Sequence, residues 1–258
     1  MRLSGKKDRV DKLLTERGIV QSRERARALI MAGRIAVGGR TIDKPGTRVW
    51  VEAQIQQQEE DQPYVSRGGI KLEKALHAFG IDPSGMVVMD VGASTGGFTD
   101  CILQKGAKKV YAVDVGYGQL AWKLQKDGRV VNVERRNIRY LRNEDVPEEM
   151  DLILIDTSFI SIKKFLLHLL GFLKHQGDLI SLIKPQFEVG KGEVGKGGVV
   201  RDAALHQKVI DQISEFSRKL GLSNLGVIDS PLLGPKGNKE FFIHLKKGDS
   251  LAASPWMV

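Results

Sequence analysis

From residue 85 onward, short and nearly unbroken apolar runs alternate with longer stretches whose apolar positions recur every three or four residues. The runs are MVVMDV (86–91), KVYAVDV (109–115), RVVNVE (129–134), DLILIDT (151–157), DLISLIKP (178–185), NLGVIDSPL (224–232) and EFFIHLKK (240–247). A strand that is apolar on both sides belongs inside a sheet covered on both faces, which is the setting of parallel strands. The helical stretches fall at about 97–105, 119–126, 161–174 and 202–220. Only the loop LGPKGNK (233–239) separates the last two runs, so the final strand is expected to turn back antiparallel. The pattern predicts an α/β unit with a doubly wound, seven-stranded sheet.

The first fifth of the chain has a different rhythm. DRVDKLLTERGIV (8–20) puts Val10, Leu13 and Leu14 at helical spacing and stops at Gly18. SRERARALIMAGR (22–34) opens on Ser22, a candidate N-cap, keeps Ala26, Leu29 and Ile30 on one face, and ends at Gly33. RIAVGGRTI (34–42) reads as a hairpin turning at Gly38-Gly39. DKPGTRVWV (43–51) adds a Pro-Gly turn and a short strand. EAQIQQQEEDQP (52–63) has no period and is read as a linker or the tail of the small unit. The boundary is placed at residue 60, giving domains of 1–60 and 61–258.

Charge sharpens this division. The chain carries a formal net charge of +9, and residues 1–51 hold 13 Lys/Arg against 5 Asp/Glu, so +8 of it lies there. A basic lobe of that density points to a polyanion, with nucleic acid ahead of a membrane surface. The segment RVDKLL…RGIVQSRERARALIMAGRIAVGGRTIDKPGTRV resembles the S4-type RNA-binding domain over about 45 residues, from the Ser-Arg helix start to the Lys-Pro-Gly turn. Arg23, Arg25, Arg27 and Arg34 are the candidate RNA-binding residues, since guanidinium groups on one face can bind phosphates bidentately without reading sequence.

Other classes recede. The single cysteine, Cys101, forms no internal disulfide and favours a reducing compartment; it reads as a small buried residue rather than a nucleophile. No secretion signal opens the chain, no run of about 18 apolar residues spans a membrane, and the five histidines show no metal spacing. A cytoplasmic protein without a metal site is expected.

Candidate chemistry gathers where the strands end. DVGASTGGFTD (90–100) follows the first strand of the large sheet, at the carboxyl edge where ligands bind such folds. Its G-A-S-T-G-G lacks the second glycine of the dinucleotide fingerprint, which weakens a pyrophosphate reading. Asp114, ending the next strand, suits ribose hydroxyls. Asp156 and Lys184 end the fourth and fifth strands, Glu240 begins the antiparallel one, and Lys71 in SRGGIKLEKAL lies on a helix leading into the sheet. These four therefore converge on one rim. Two lysines and two acids suit methyl transfer to a ribose hydroxyl: an ammonium stabilises the developing oxyanion, or a lysine of lowered pKa takes the proton. In-line attack on a sulfonium methyl then needs mainly positioning.

SRGGIKLEKAL, DVGASTGGFTD, DTSFIS, LIKPQFE and KGGVVRD, with the seven-strand arrangement of a Rossmann-like class I methyltransferase, resemble the TlyA family. That family joins an S4-type domain to an FtsJ-like methyltransferase domain, and many members carry the label haemolysin. The resemblance implies an S-adenosylmethionine-dependent ribosomal RNA 2′-O-methyltransferase acting on cytidine ribose, with ribosomal RNA or ribosomal subunits as partner. It implies a Lys-Asp-Lys-Glu tetrad at Lys71, Asp156, Lys184 and Glu240. It implies a cofactor loop of Asp90, Gly92, Ser94, Gly96 and Gly97, a ribose-binding acid at Asp114 and an adenine contact at Asn137. RVWV (48–51) matches the family's interdomain segment. The alternatives are a base-modifying enzyme, although Asp156-Thr157-Ser158-Phe159 lacks the two prolines typical of amine methylation, a membrane-lytic protein, and a non-catalytic assembly factor. The glycine-rich segment 186–202 is either a lid that orders on RNA or a loose surface loop.

Overall fold

The computed structural model describes residues 6–20, 22–31, 33–57, 63–190 and 192–248. The chain forms two compact units, Met1–Gln62 and Pro63–Val258.

In the first unit, β1 (Lys7–Arg9) leads into α1 (Val10–Glu16) and α2 (Arg23–Met31). Then follow β2 (Ile35–Val37), β3 (Arg40–Ile42), β4 (Arg48–Trp50) and β5 (Ile55–Gln57). Val10, Leu13, Leu14, Ala26, Leu29, Ile30, Ile35 and Val49 make its core. Ser22 accepts from the Arg25 amide at 3.1 Å, as its N-cap reading requires. β2 and β3 form the expected hairpin, with Gly38 and Gly39 both left-handed as a two-residue turn of this hand demands. The sequence reading misses two strands. β1 pairs antiparallel with β4, and β5, inside the stretch read as a linker, pairs antiparallel with β2. The expected RVWV interdomain segment contains β4, so it belongs to this small fold. The linker's residues 58–62 lie outside the described ones.

The second unit begins with α3 (Arg67–Phe79), capped by Ser66 and closed by a left-handed Gly80. β6 (Val87–Val91), α4 (Gly97–Gln104), β7 (Lys109–Val113), α5 (Trp122–Gln125), β8 (Val130–Val133) and β9 (Met150–Ile155) follow. The chain continues through α6 (Leu166–Leu169), β10 (Leu173–Ile183), α7 (Pro185–Glu188), α8 (Ala203–Lys219), β11 (Leu222–Asp229) and β12 (Phe241–Lys247). The sheet order is β11-β12-β10-β9-β6-β7-β8, and β12 runs antiparallel to both of its neighbours. Successive strand residues serve opposite faces. Met89, Val91, Ile153, Ile155 and Ile243 pack with Leu166, Val209 and Ile213 from α6 and α8. Val88, Leu152, Leu154 and Phe242 pack with Leu72, Phe98, Ile102 and Leu124 from α3, α4 and α5. Both faces are covered, which is why the strands read as unbroken apolar runs.

The helix expected over 161–174 is much shorter. A single 3-10 turn (Ile162–Lys164) and the four-residue α6 fill its start, and Leu173 already pairs with Met150 in the sheet. The run LLHLLGFL has helical spacing, but pairing with β9 takes its last leucine. The helix expected over 119–126 contracts to α5.

Candidate active site

The register fixes what meets at the carboxyl rim. Ile183 pairs with Phe241, so Lys184, just after β10, and Glu240, just before β12, leave the sheet at the same edge. Ile155 pairs with Val91, and Val91 with Val113, so Asp156, Gly92 and Asp114 follow on neighbouring strands. The amides of Gly92 and Asp156 cross-link these ends, to Val113 O and Val91 O respectively, each at 2.9 Å. The first turn of α3 reaches the same rim: a Cβ on Gly97, the first residue of α4, would overlap the Ser66 hydroxyl and come within 3.0 Å of Gly69 N.

The four tetrad candidates form two ion pairs there. Lys71 Nζ donates to Glu240 Oε2 at 2.7 Å, and the Glu240 side chain is 0% exposed. Lys184 Nζ lies 2.6 Å from Asp156 Oδ1 and donates to Ser158 Oγ at 3.0 Å. The Asp156 contact is close but too poorly angled to be a hydrogen bond. The second oxygen of Glu240, Oε1, is buried with no hydrogen-bond partner among the described residues, and Gly234 is packed so tightly against it that a Cβ would overlap the carboxylate. An ammonium has three N–H donors. Lys71 uses one on Glu240, and donors remain on both lysines for an incoming oxygen.

On the other side of Asp156 lies the glycine loop. Gly92 is left-handed (φ +87°), and a Cβ there would stand 2.7 Å from the Asp156 carbonyl, so only glycine fits on two counts. Ser94 occupies the position of the missing second glycine and is itself left-handed (φ +49°). Its amide donates to Asp114 Oδ2 at 2.8 Å, while Gly116 N donates to Oδ1 at 2.7 Å. Gly96 is left-handed against Leu120 and Leu124, and Gly97 starts α4. Asp90 is buried under this loop. Its Oδ2 accepts from the Thr99 amide (2.9 Å) and hydroxyl (2.6 Å), and its Oδ1 has no hydrogen-bond partner among the described residues. Burial pushes the Asp90 carboxyl up to about 7, and the nearby Asp156 and Asp114 push the same way. An orphaned buried oxygen among three acids fits a cationic ligand. Asn137 caps a 3-10 turn, its Oδ1 accepting from the Arg139 amide at 3.1 Å; the Arg136 amide ties the segment to Asp114 O. Cys101 is fully buried, and burial raises its thiol to about 12, so it is no nucleophile.

Sequence reasoning misses several groups at this rim. Phe159 is 90% exposed, left-handed (φ +65°) and packed on Phe187 with ring centroids 5.0 Å apart. Ser158, just before it, touches Lys184. Beyond Asp114, Arg135 stacks on Tyr117, Lys126 on Trp122 and Arg139 on Tyr140, and all three aromatics are exposed. A signal was available in the unusual aromatic-cation content of 115–140, which no strand or helix period explains.

The glycine-rich segment 186–202 is pinned rather than loose. Asn238 accepts from the Val200 amide (3.1 Å) and donates to Gly198 O (3.0 Å), Glu193 pairs with Lys208, and Gly195 bridges Val199. Its Lys191 lies outside the described residues. In the first unit, Arg25 and Arg27 are exposed, whereas Arg23 is drawn onto the buried Asp11 at 3.2 Å and the half-buried Arg34 has an unpartnered Nε. Among the described residues no helix is long and apolar enough to cross a membrane, and no cluster of three metal-ligating side chains occurs.

The FtsJ-like methyltransferase profile matches residues 64–247, and the S4 domain profile matches residues 8–55. The chain is 44% identical over 247 residues to the 16S/23S rRNA (cytidine-2′-O)-methyltransferase TlyA of Mycobacterium tuberculosis, covering 95% of this chain and 92% of that protein. It is 39% identical to Hemolysin A of Brachyspira hyodysenteriae, covering 92% and 98%. A solved structure from Streptococcus thermophilus, given the working name of haemolysin, superposes with a TM-score of 0.75 at 43% identity, covering 96% and 90%.

Proposed function

The chain belongs to the FtsJ-like methyltransferase family, in the TlyA group that adds an S4 domain, and from that premise we propose that it methylates a cytidine ribose 2′-OH of ribosomal RNA. The observation that carries the reading is the pair of ion pairs, Lys71–Glu240 and Lys184–Asp156, beside the Gly92 loop. S-adenosylmethionine, when bound, supplies an electrophilic methyl group on a sulfonium. Asp114 would hold its ribose, the loop from Gly92 to Gly97 its methionine part, and Asn137 its adenine. The unpartnered Asp90 Oδ1 and its acidic neighbours favour the positive charge.

A 2′-hydroxyl is a poor nucleophile, so these residues would have to stabilise charge on its oxygen as it takes the methyl group, leaving a neutral thioether, and gives up its proton to solvent water. Lys184, braced by Asp156 and Ser158, presents an ammonium fixed before the reaction starts. Lys71 gives a second, oriented by the buried Glu240. The carboxylates keep both lysines aimed, so little reorganisation is needed during the step. Phe159 offers a bare aromatic face at the same rim, on which a base turned out of its stack can rest. The stacked pairs at 115–140 add cations for flanking RNA in the large unit, and the small unit exposes Arg25 and Arg27 of its own.

The test is methyl incorporation from labelled S-adenosylmethionine into ribosomal subunits, followed by mapping of the label. The expected product is a cytidine methylated on the ribose oxygen. Label on a base would overturn the reading in favour of base modification.

A further inference from the structure

The loop after β9 and the short helix after β10 carry Asp156 and Lys184, and four successive contacts close them together. Asp156 meets Lys184, Ser158 meets Lys184, Phe159 packs on Phe187, and Ser161 and Ile162 meet Glu188. The last contact is the tightest. Glu188 is 9% exposed, and both of its oxygens face one loop: Oε2 accepts from Ser161 Oγ at 2.6 Å and Oε1 from the Ile162 amide at 2.8 Å. Ser161 Oγ in turn accepts from the Lys163 amide at 3.3 Å, so the carboxylate caps a one-turn helix that has few bonds of its own.

A carboxylate is a costly choice for a merely structural tie. Among the described residues no lysine or arginine forms an ion pair with it, and burial raises its carboxyl above the usual range. What it secures lies upstream. Between Asp156 and Ser161 the backbone adopts a left-handed turn at Phe159, a conformation a bulky residue holds only when its surroundings enforce it. The two ends of that turn are fastened by Lys184 and by Glu188. With the Glu188 end released, the loop keeps the Phe159–Phe187 packing and the core contacts of Ile160 and Ile162 but loses its two hydrogen bonds to α7.

We infer that Glu188 is a positioning residue for methyl transfer: it clamps the loop from Asp156 to Ser161 so that Ser158 braces Lys184 and Phe159 faces outward at the rim. The inference rests on the methyltransferase reading above, but its structural half can be tested apart from activity. Glutamine can restore both contacts by accepting from Ile162 and donating to Ser161, whereas alanine leaves both donors unmet.

The experiment compares wild type, Glu188→Ala, Glu188→Gln and Ser161→Ala by methylation kinetics on ribosomal subunits, S-adenosylmethionine binding, and hydrogen exchange over residues 157–163. In Glu188→Ala, kcat is expected to fall at least about tenfold and exchange at Ile162 to speed up about tenfold, with cofactor affinity within about twofold. Glu188→Gln is expected to recover to within about threefold of wild type. Ser161→Ala should lower kcat in the same direction, and it carries the test if Glu188→Ala does not fold. Unchanged kcat in folded Glu188→Ala and Ser161→Ala, or failure of glutamine to rescue a folded protein, overturns the inference. Unchanged exchange in this loop overturns the clamp itself. A wild type that binds S-adenosylmethionine but leaves RNA ribose unmethylated counts against the methyltransferase reading instead, while the exchange comparison still judges the clamp.

Discussion

Glu240 holds Lys71 through one oxygen and leaves the other buried without a hydrogen-bond partner among the described residues, with Gly234 packed against that second oxygen. The backbone at Gly234 is one that alanine can adopt, so Gly234→Ala strains no dihedral angle. The added methyl overlaps Oε1 and Cδ of Glu240, and that fully buried side chain must shift to make room. The fold should therefore lose about 1–3 kcal/mol as the Lys71–Glu240 pair is displaced. We predict a drop in kcat of about tenfold or more in protein still folded at the assay temperature, with a lowered melting temperature, measured by methylation kinetics and calorimetry. Gly92→Ala would behave differently: it meets both a left-handed backbone and the Asp156 carbonyl, and both folding and activity should suffer.

Three elements of the small unit are held by one carboxylate. Asp11 on α1 is fully buried and pairs with Arg9 of β1 at 2.8 Å and Arg23 of α2 at 3.2 Å. Hydrogen bonding from Arg9, ahead of that from Arg23, holds its carboxyl down to about 2, below the ordinary 3.8. A folded-state value below the unfolded one means that the stabilisation is present above about pH 4 and is lost as pH falls towards 2. Urea denaturation of the small unit across that window should show the loss in wild type and a flatter profile in Asp11→Asn. The interior strands of the large sheet could be read from sequence because burial on both faces leaves an unbroken apolar signature. β1 and β5 could not: each has three residues and at most one apolar side chain, and their partners alone define them. The helix expected over 161–174 failed because spacing cannot show that β9 claims Leu173. Asp156, Lys184 and Glu240 were legible because their chemistry sits at strand ends. Ser158, Phe159, Glu188 and Asn238 were not, since their meaning comes from contacts between loops tens of residues apart.

At the scale of the whole molecule the two units divide the labour. One is a small α+β fold that matches the S4 domain and holds 13 Lys/Arg against 5 Asp/Glu in its first 51 residues, and the other a seven-stranded FtsJ-like sheet. Along the rim, Glu240, Lys184 and Asp156 occupy the β12-β10-β9 side, and the Gly92 loop and Asp114 the β6-β7 side. The two halves touch where Gly92 meets the Asp156 backbone, which is where the proposed transfer would bring nucleophile and methyl group together. Methyl transfer to ribosomal subunits by Lys184→Ala, with S-adenosylmethionine binding measured in parallel, bears most directly on the claim that the two ion pairs perform the reaction. The expected result is a loss of about a hundredfold or more in kcat with cofactor binding intact. Wild-type turnover in that variant would contradict it.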